Sequence, residues 1–149
     1  MHIVDVVNGT RRVDQITEAV VYFCINHFMP DQGNIEVEVT FDKELEGTPY
    51  AGECVHVDDK SFCITVNPLM MKVDNVCHLV ETLCHEMVHV KQYVRKEYVV
   101  EYNPNFKWIR RWKGKAFLGH DYSAYPWEVE AYALEKPITK KFIKWLVTG

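Results

Sequence analysis

The chain has 149 residues, of which 48% are hydrophobic and 13% aromatic, and a formal net charge of −4. That suffices for one compact domain with its own core and is too little for two ordinary ones, so a single domain over 1–149 is expected. No run of about 18 apolar residues offers a membrane span, and no basic-then-apolar leader opens the chain, so a cytosolic location is expected.

In chain order, Ile3 to Val7 reads as a short strand ended by Asn8-Gly9. Asp14 is a candidate N-cap for a helix through Ile16, Val20, Phe23 and Cys24 that stops before Pro30 and Gly33, and His27 near its end suits the helix dipole better than ligation. Ile35 to Phe41 alternates strictly, which predicts a strand with one buried and one wet face. Residues 51–57 and 61–66 read as a hairpin around Asp58-Asp59-Lys60, with His56 on a sheet surface. This hairpin sets Cys54 and Cys63 across from one another. Five cysteines are an odd number at no zinc-finger spacing, so buried free thiols are preferred over a Cys54–Cys63 bridge.

Asn67-Pro68 ends the sheet, and Asp74 or Asn75 caps a helix predicted to reach Tyr98. At 100° per residue, Val76, Val80, Leu83, Met87, Val90 and Val94 form one apolar stripe, and His78, Glu81, His85, His89 and Gln92 fall opposite. The centre of this helix is Cys84-His85-Glu86-Met87-Val88-His89. Residues four apart stack on one helical face, so two imidazoles point the same way with a carboxylate beside them. Zinc accepts neutral imidazole nitrogens at about 2.0–2.1 Å, and one turn brings two rings to such a centre without strain. Glu86 can reach a water at that ion, which suits a general base.

From Val99 to Tyr125 the periodicity dissolves, and a connection of this length is a wall or lid of a site. Residues 91–115 hold eight Lys or Arg against two Glu. Cations interleaved with Trp108 and Trp112 suit nucleic-acid contacts, but a packed surface hairpin with snorkelling cations is the preferred reading. Pro126 then opens a helix that Pro137 is expected to break, and a last amphipathic segment, Ile138 to Leu146, closes the core with Phe142, Ile143 and Trp145.

A catalytic zinc needs a third protein ligand and an open position. His120 lies in the irregular stretch, whereas Glu128 and Glu130 stand on a rigid helix. Glu128 shares a face with the small Ala131, which permits close helix approach, so Glu128 is favoured over Glu130 and His120.

The segment His85 to Tyr93, followed downstream by Pro126-Trp127-Glu128-Val129-Glu130-Ala131-Tyr132, resembles the small zincin metallopeptidases of the gluzincin type, above all the minigluzincin-like and phage-encoded ones. The likeness implies an α+β, zincin-like fold: a twisted mixed sheet on an N-terminal helix and the His85/His89 helix, then a glutamate helix. It also implies one Zn2+ held by His85, His89 and Glu128, with Glu86 as general base, and an edge strand that pairs with an extended peptide or protein substrate. A viral source would place the protein in the host cytoplasm. The activity expected is zinc-dependent hydrolysis of peptide bonds, with Tyr122 favoured over Tyr125 and His120 as oxyanion donor by its position ahead of Glu128. The aspartate that often follows a gluzincin glutamate by four residues is replaced by Tyr132, so another side chain must steady the histidines, and Glu81 is a candidate. Two further readings are kept: a DNA-associated protease of SprT-like type, whose third ligand is a histidine, and a zinc-holding binding protein that cleaves nothing. Nucleic acid is a less favoured partner, and a membrane is not expected.

Overall fold

A computed structural model describes residues 1–105, 107–118 and 121–149, with the Ser123 side chain also left aside. Strand β1 (Ile3–Val7) leads into helix α1 (Arg11–Phe28), then strands β2 (Glu36–Phe41), β3 (Gly52–Asp58) and β4 (Ser61–Val66). Helix α2 (Val76–Val94) follows, then β5 (Tyr98–Asn103), β6 (Lys107–Trp112) and β7 (Lys115–Phe117), and helix α3 (Pro126–Thr148). Among the described residues this is an α+β arrangement of three α-helices and two sheets.

The first sheet is mixed, in the order β1-β2-β4-β3, with β1, β2 and β4 parallel and β3 antiparallel at the edge. Its registers put Val4, Val37 and Phe62 in one row and Val6, Val39 and Ile64 in the next. Val4, Val37, Val39, Phe62 and Ile64 are buried beneath Val20, Val21 and Cys24 of α1 and Leu79, Leu83 and Met87 of α2. Period-2 alternation in the strands and period-3.6 stripes in the helices meet in one core, and α2 is thereby pinned with its histidine face outward.

Several expectations change. Helix α1 begins at Arg11 with Thr10 as N-cap, and Asp14 sits inside the first turn, where its charge suits the helix N-terminus. Helix α2 ends at Val94 instead of Tyr98. Lys96 turns left-handed at φ 56, and the Glu97 and Lys96 amides donate to the Gln92 and Tyr93 carbonyls at 2.9 and 3.1 Å. That pair of bonds is the Schellman stop, formed here on a lysine. In the β3–β4 ladder Cys54 faces Ile64 and Val55 faces Cys63, so the two cysteines project to opposite faces and all five thiols are free.

Strands β5, β6 and β7 form a three-stranded antiparallel sheet where the sequence predicts an irregular connection. Lys113 and Gly114, at φ 49 and 85, make a two-residue turn between Trp112 and Lys115, which matches strand twist when both residues have positive φ. The preferred surface hairpin is therefore present. Pro137 does not break α3. It removes one amide from the ladder, but Ala131, Ile138, Thr139 and Phe142 are buried on either side of it, and this packing carries the helix through. Phe142 joins the core as expected, whereas Ile143 and Trp145 stay exposed.

Candidate metal centre

Helices α2 and α3 pack together, and the fully buried Ala131 lets α3 come close one turn after Glu128. From α2, His85 and His89 project side by side with ring centroids 5.0 Å apart. One carboxylate answers both: His85 Nε2 lies 3.0 Å from Glu128 Oε1, and His89 Nε2 lies 3.1 Å from Glu128 Oε2. Ligating atoms of His85, His89 and Glu128 lie within 4.8 Å of one another, and no other such group occurs among the described residues.

The opposite edge of each ring is also held. Glu135 Oε2 stands 3.0 Å from His85 Nδ1 and, being a carboxylate, accepts its proton. Tyr132 packs edge-on against the same ring at 4.6 Å. Gln92 is fully buried, and its amide nitrogen donates to the Trp127 carbonyl at 2.9 Å and to Glu130 Oε1 at 3.1 Å. Its oxygen is thereby turned to His89 Nδ1, 2.8 Å away. With Nδ1 turned to an acceptor on each ring, both imidazoles present Nε2 to the centre, the orientation that metal ligation uses.

The charges agree with this geometry. Burial alone would raise the Glu128 carboxyl, but the hydrogen bonds from His85 and His89 overcome it and hold the group down at about 2. Burial likewise opposes charge on the two rings, and the bonds to Glu128 prevail and raise both. Two imidazoles and a carboxylate are a donor set for a divalent ion of zinc character.

Glu86 is 5% exposed, and its Oε2 has no hydrogen-bond partner among the described residues. Burial pushes this carboxyl up, against the pull of His89 and His85. A buried acceptor left unsatisfied in a polar cleft is completed by a water or a substrate N–H. It borders two neighbouring hollows of about 350 and 270 Å³, and Gly52 on the edge strand β3 borders both. A Cβ on Gly52 would come 3.0 Å from Thr82 Cγ2, 3.1 Å from the Thr65 carbonyl oxygen and 3.6 Å from Glu86 Cγ, so only glycine lets the strand lie this near the helix. Tyr122 borders both hollows too, and burial, then the charge of Glu128, push its hydroxyl up and keep it protonated.

The other candidates go elsewhere. Glu130 binds Lys91 Nζ at 2.6 Å and turns away from the centre. The histidines are steadied by Glu135 and Gln92 instead of Glu81, which borders the smaller hollow. Tyr125 accepts from Arg110 at 3.2 Å, and His120 lies outside the described residues. Glu135 was findable seven residues, two turns, after Glu128, and Gln92 three after His89. The basic stretch is largely engaged. Lys91 sits between Glu97 and Glu130, Arg95 on Asp31, Arg111 on Glu101, and Arg110 over the rings of Tyr125 and Trp127.

No curated protein and no solved structure matches the chain. A family model described as the SprT-like family matches residues 21–125. That stretch runs from within α1 to the residue before α3, so it includes His85, Glu86 and His89 and ends short of Glu128. Well over half the sequence is covered, and the chain belongs to the SprT-like family, which is related to the zincin-like metallopeptidases.

Proposed function

We propose that the protein is a zinc-dependent endopeptidase whose ion is held by His85, His89 and Glu128. One juxtaposition carries the proposal: two imidazoles and a carboxylate meet within 4.8 Å, beside a buried Glu86 oxygen without a hydrogen-bond partner among the described residues. Zinc bound there would supply Lewis-acid polarisation of a scissile carbonyl and a lowered pKa for water. Glu86 takes the proton of the attacking water and delivers it to the departing amine, a double role that its raised pKa favours. The protonated Tyr122 hydroxyl donates to the oxyanion. An extended peptide or protein substrate adds to the free edge of β3, drawing affinity from main-chain hydrogen bonds.

A carboxylate from a following helix is the gluzincin type of third ligand, so this chain joins a SprT-like body to a gluzincin-like closure. The closure resembles that of the minigluzincin-like and phage-encoded enzymes, and the proposed setting is the cytoplasm, a host's where the source is viral. The test is incubation of the zinc-supplemented protein and Glu86→Gln with an unstructured protein. Chelator-sensitive cleavage by the first alone is expected, and equal behaviour would leave a zinc-holding binding protein. A DNA-associated protease is the second reading, favoured by Trp108 and Tyr102, which stand exposed together beside Lys107. DNA affinity that falls steeply with salt would support it.

A further inference from the structure

The two hollows along the cleft differ in chemistry. The larger lies at the C-terminal end of the α2 site, over Gly52 to Cys54 of β3, and is walled by Leu45, Tyr93, Tyr98 and Trp127. The smaller lies toward the N-terminal end of α2, over Pro49 to Gly52, and is bordered by Glu81 and Glu135 with Tyr132 and His78. Gly52, Glu86 and Tyr122 border both, so the proposed reacting centre stands at the waist between an aromatic half and an acidic half.

The acidic half has no lysine or arginine on its border. Glu135 is committed to His85, while Glu81 is half-buried and makes no ion pair or hydrogen bond among the described residues. The same hollow is bordered by Glu86, whose Oε2 is buried and unpartnered. A cation entering here meets Glu81 without displacing any protein partner. In the aromatic half the only carboxylate among the described residues outside the proposed centre is Glu53, an exposed residue whose register partner Thr65 puts it on the face opposite Cys54. A large apolar side chain therefore finds aromatic walls there.

Strand polarity assigns the order. Along β3 the chain passes the acidic half first and the aromatic half second. A peptide added antiparallel, the more stable pairing, runs the other way. We infer that the cleft selects a peptide bond with an apolar or aromatic residue on its amino side and a lysine or arginine on its carboxyl side, with Glu81 as the specificity-determining residue. This rests on the endopeptidase reading and extends it to substrate class.

The test uses three quenched-fluorescent peptides that differ only around the central bond: Phe-Lys, Phe-Glu and Lys-Phe. Zinc-supplemented protein is expected to cut Phe-Lys about tenfold faster in kcat/KM than Phe-Glu, the scale of one partly exposed ion pair gained and one like-charge contact avoided. Phe-Lys should also exceed Lys-Phe. Glu81→Gln should narrow the Lys-over-Glu ratio to about threefold or less, and Glu81→Lys should invert it. In parallel, the affinity of zinc-supplemented Glu86→Gln for the same peptides is read by anisotropy. If no peptide is cut but this variant ranks them in the stated order, the cleft assignment stands and the peptidase reading fails. Cutting or binding of Phe-Lys and Phe-Glu within twofold of each other, or a preference for Lys-Phe, overturns the inference.

Discussion

Glu135→Ala isolates the claim that a side chain two turns beyond Glu128 sets the first histidine. The Glu135 Oε2 to His85 Nδ1 distance is 3.0 Å, and the two side chains are only 18% and 11% exposed, so solvent replaces little of the lost bond. A hydrogen bond to a charged group in such a place contributes about 1.5–3 kcal/mol, and about 1.36 kcal/mol corresponds to tenfold. Zinc affinity should therefore fall roughly ten- to a hundredfold, the range known for groups that orient metal-bound histidines. Glu135→Gln keeps an acceptor oxygen without its charge and should lose about tenfold or less. Affinity is read by competition with a chromophoric zinc chelator, and a thermal melt in chelator checks that each variant folds. Glu81→Ala, which removes a carboxylate that touches neither ring, should stay within twofold of the parent. Zinc binding by Glu135→Ala at parental strength, or a loss in Glu81→Ala as large as that in Glu135→Ala, would show that Glu135 does not set His85.

Gln92→Leu leaves the His89 Nδ1 proton, the Trp127 carbonyl and Glu130 without their shared amide, so it should cost about 1–3 kcal/mol in urea unfolding and weaken zinc in the competition assay. Gly52→Ala drives a methyl toward a backbone carbonyl that cannot swing aside, and a loss of about 1–3 kcal/mol is expected by the same unfolding measurement, with slower peptide cleavage. Excess zinc should raise Tm for both the parent and Glu86→Gln, and chelator should abolish both shifts, because ligand-linked stability needs only the three holding side chains. In chelator, the folded pKa values of His85 and His89 lie above 6.5, so their contribution is complete below pH 6.5 and is lost as pH rises through the folded values. The raised Glu86 carboxyl acts in the same direction above its ordinary 4.5. A melt series from pH 6 to 8 should show metal-free Tm falling with pH.

The His85/His89 helix was legible because its core stripe and its histidine face obey one helical period, and burial of Leu83 and Met87 leaves a single way to orient it. Glu128 was legible through Ala131, whose missing bulk predicts a close helix crossing. The steadying groups were hidden. On an isolated helix Glu135 looks like any solvated carboxylate, and only the tertiary approach of His85 gives it a role. The sheet at 98–117 was hidden for a different reason: Tyr98, Val99, Ile109 and Trp112 are all half-buried, so neither face alternates cleanly between apolar and polar. In the basic tract, Lys91, Arg95 and Arg111 find acids on α3, in the turn after α1 and on β5, pairings that order along the chain does not display.

Both ends of that side sheet meet at one indole. Tyr98 at its start and Tyr125 beyond its close lie 4.6 and 4.8 Å from the Trp127 ring. The strands between them thus leave and re-enter the body at one aromatic clasp, and His85, His89 and Glu128 all lie outside those strands. Trp127 directly precedes Glu128, so the clasp anchors the start of α3 and that carboxylate independently of the length or charge of the strands themselves.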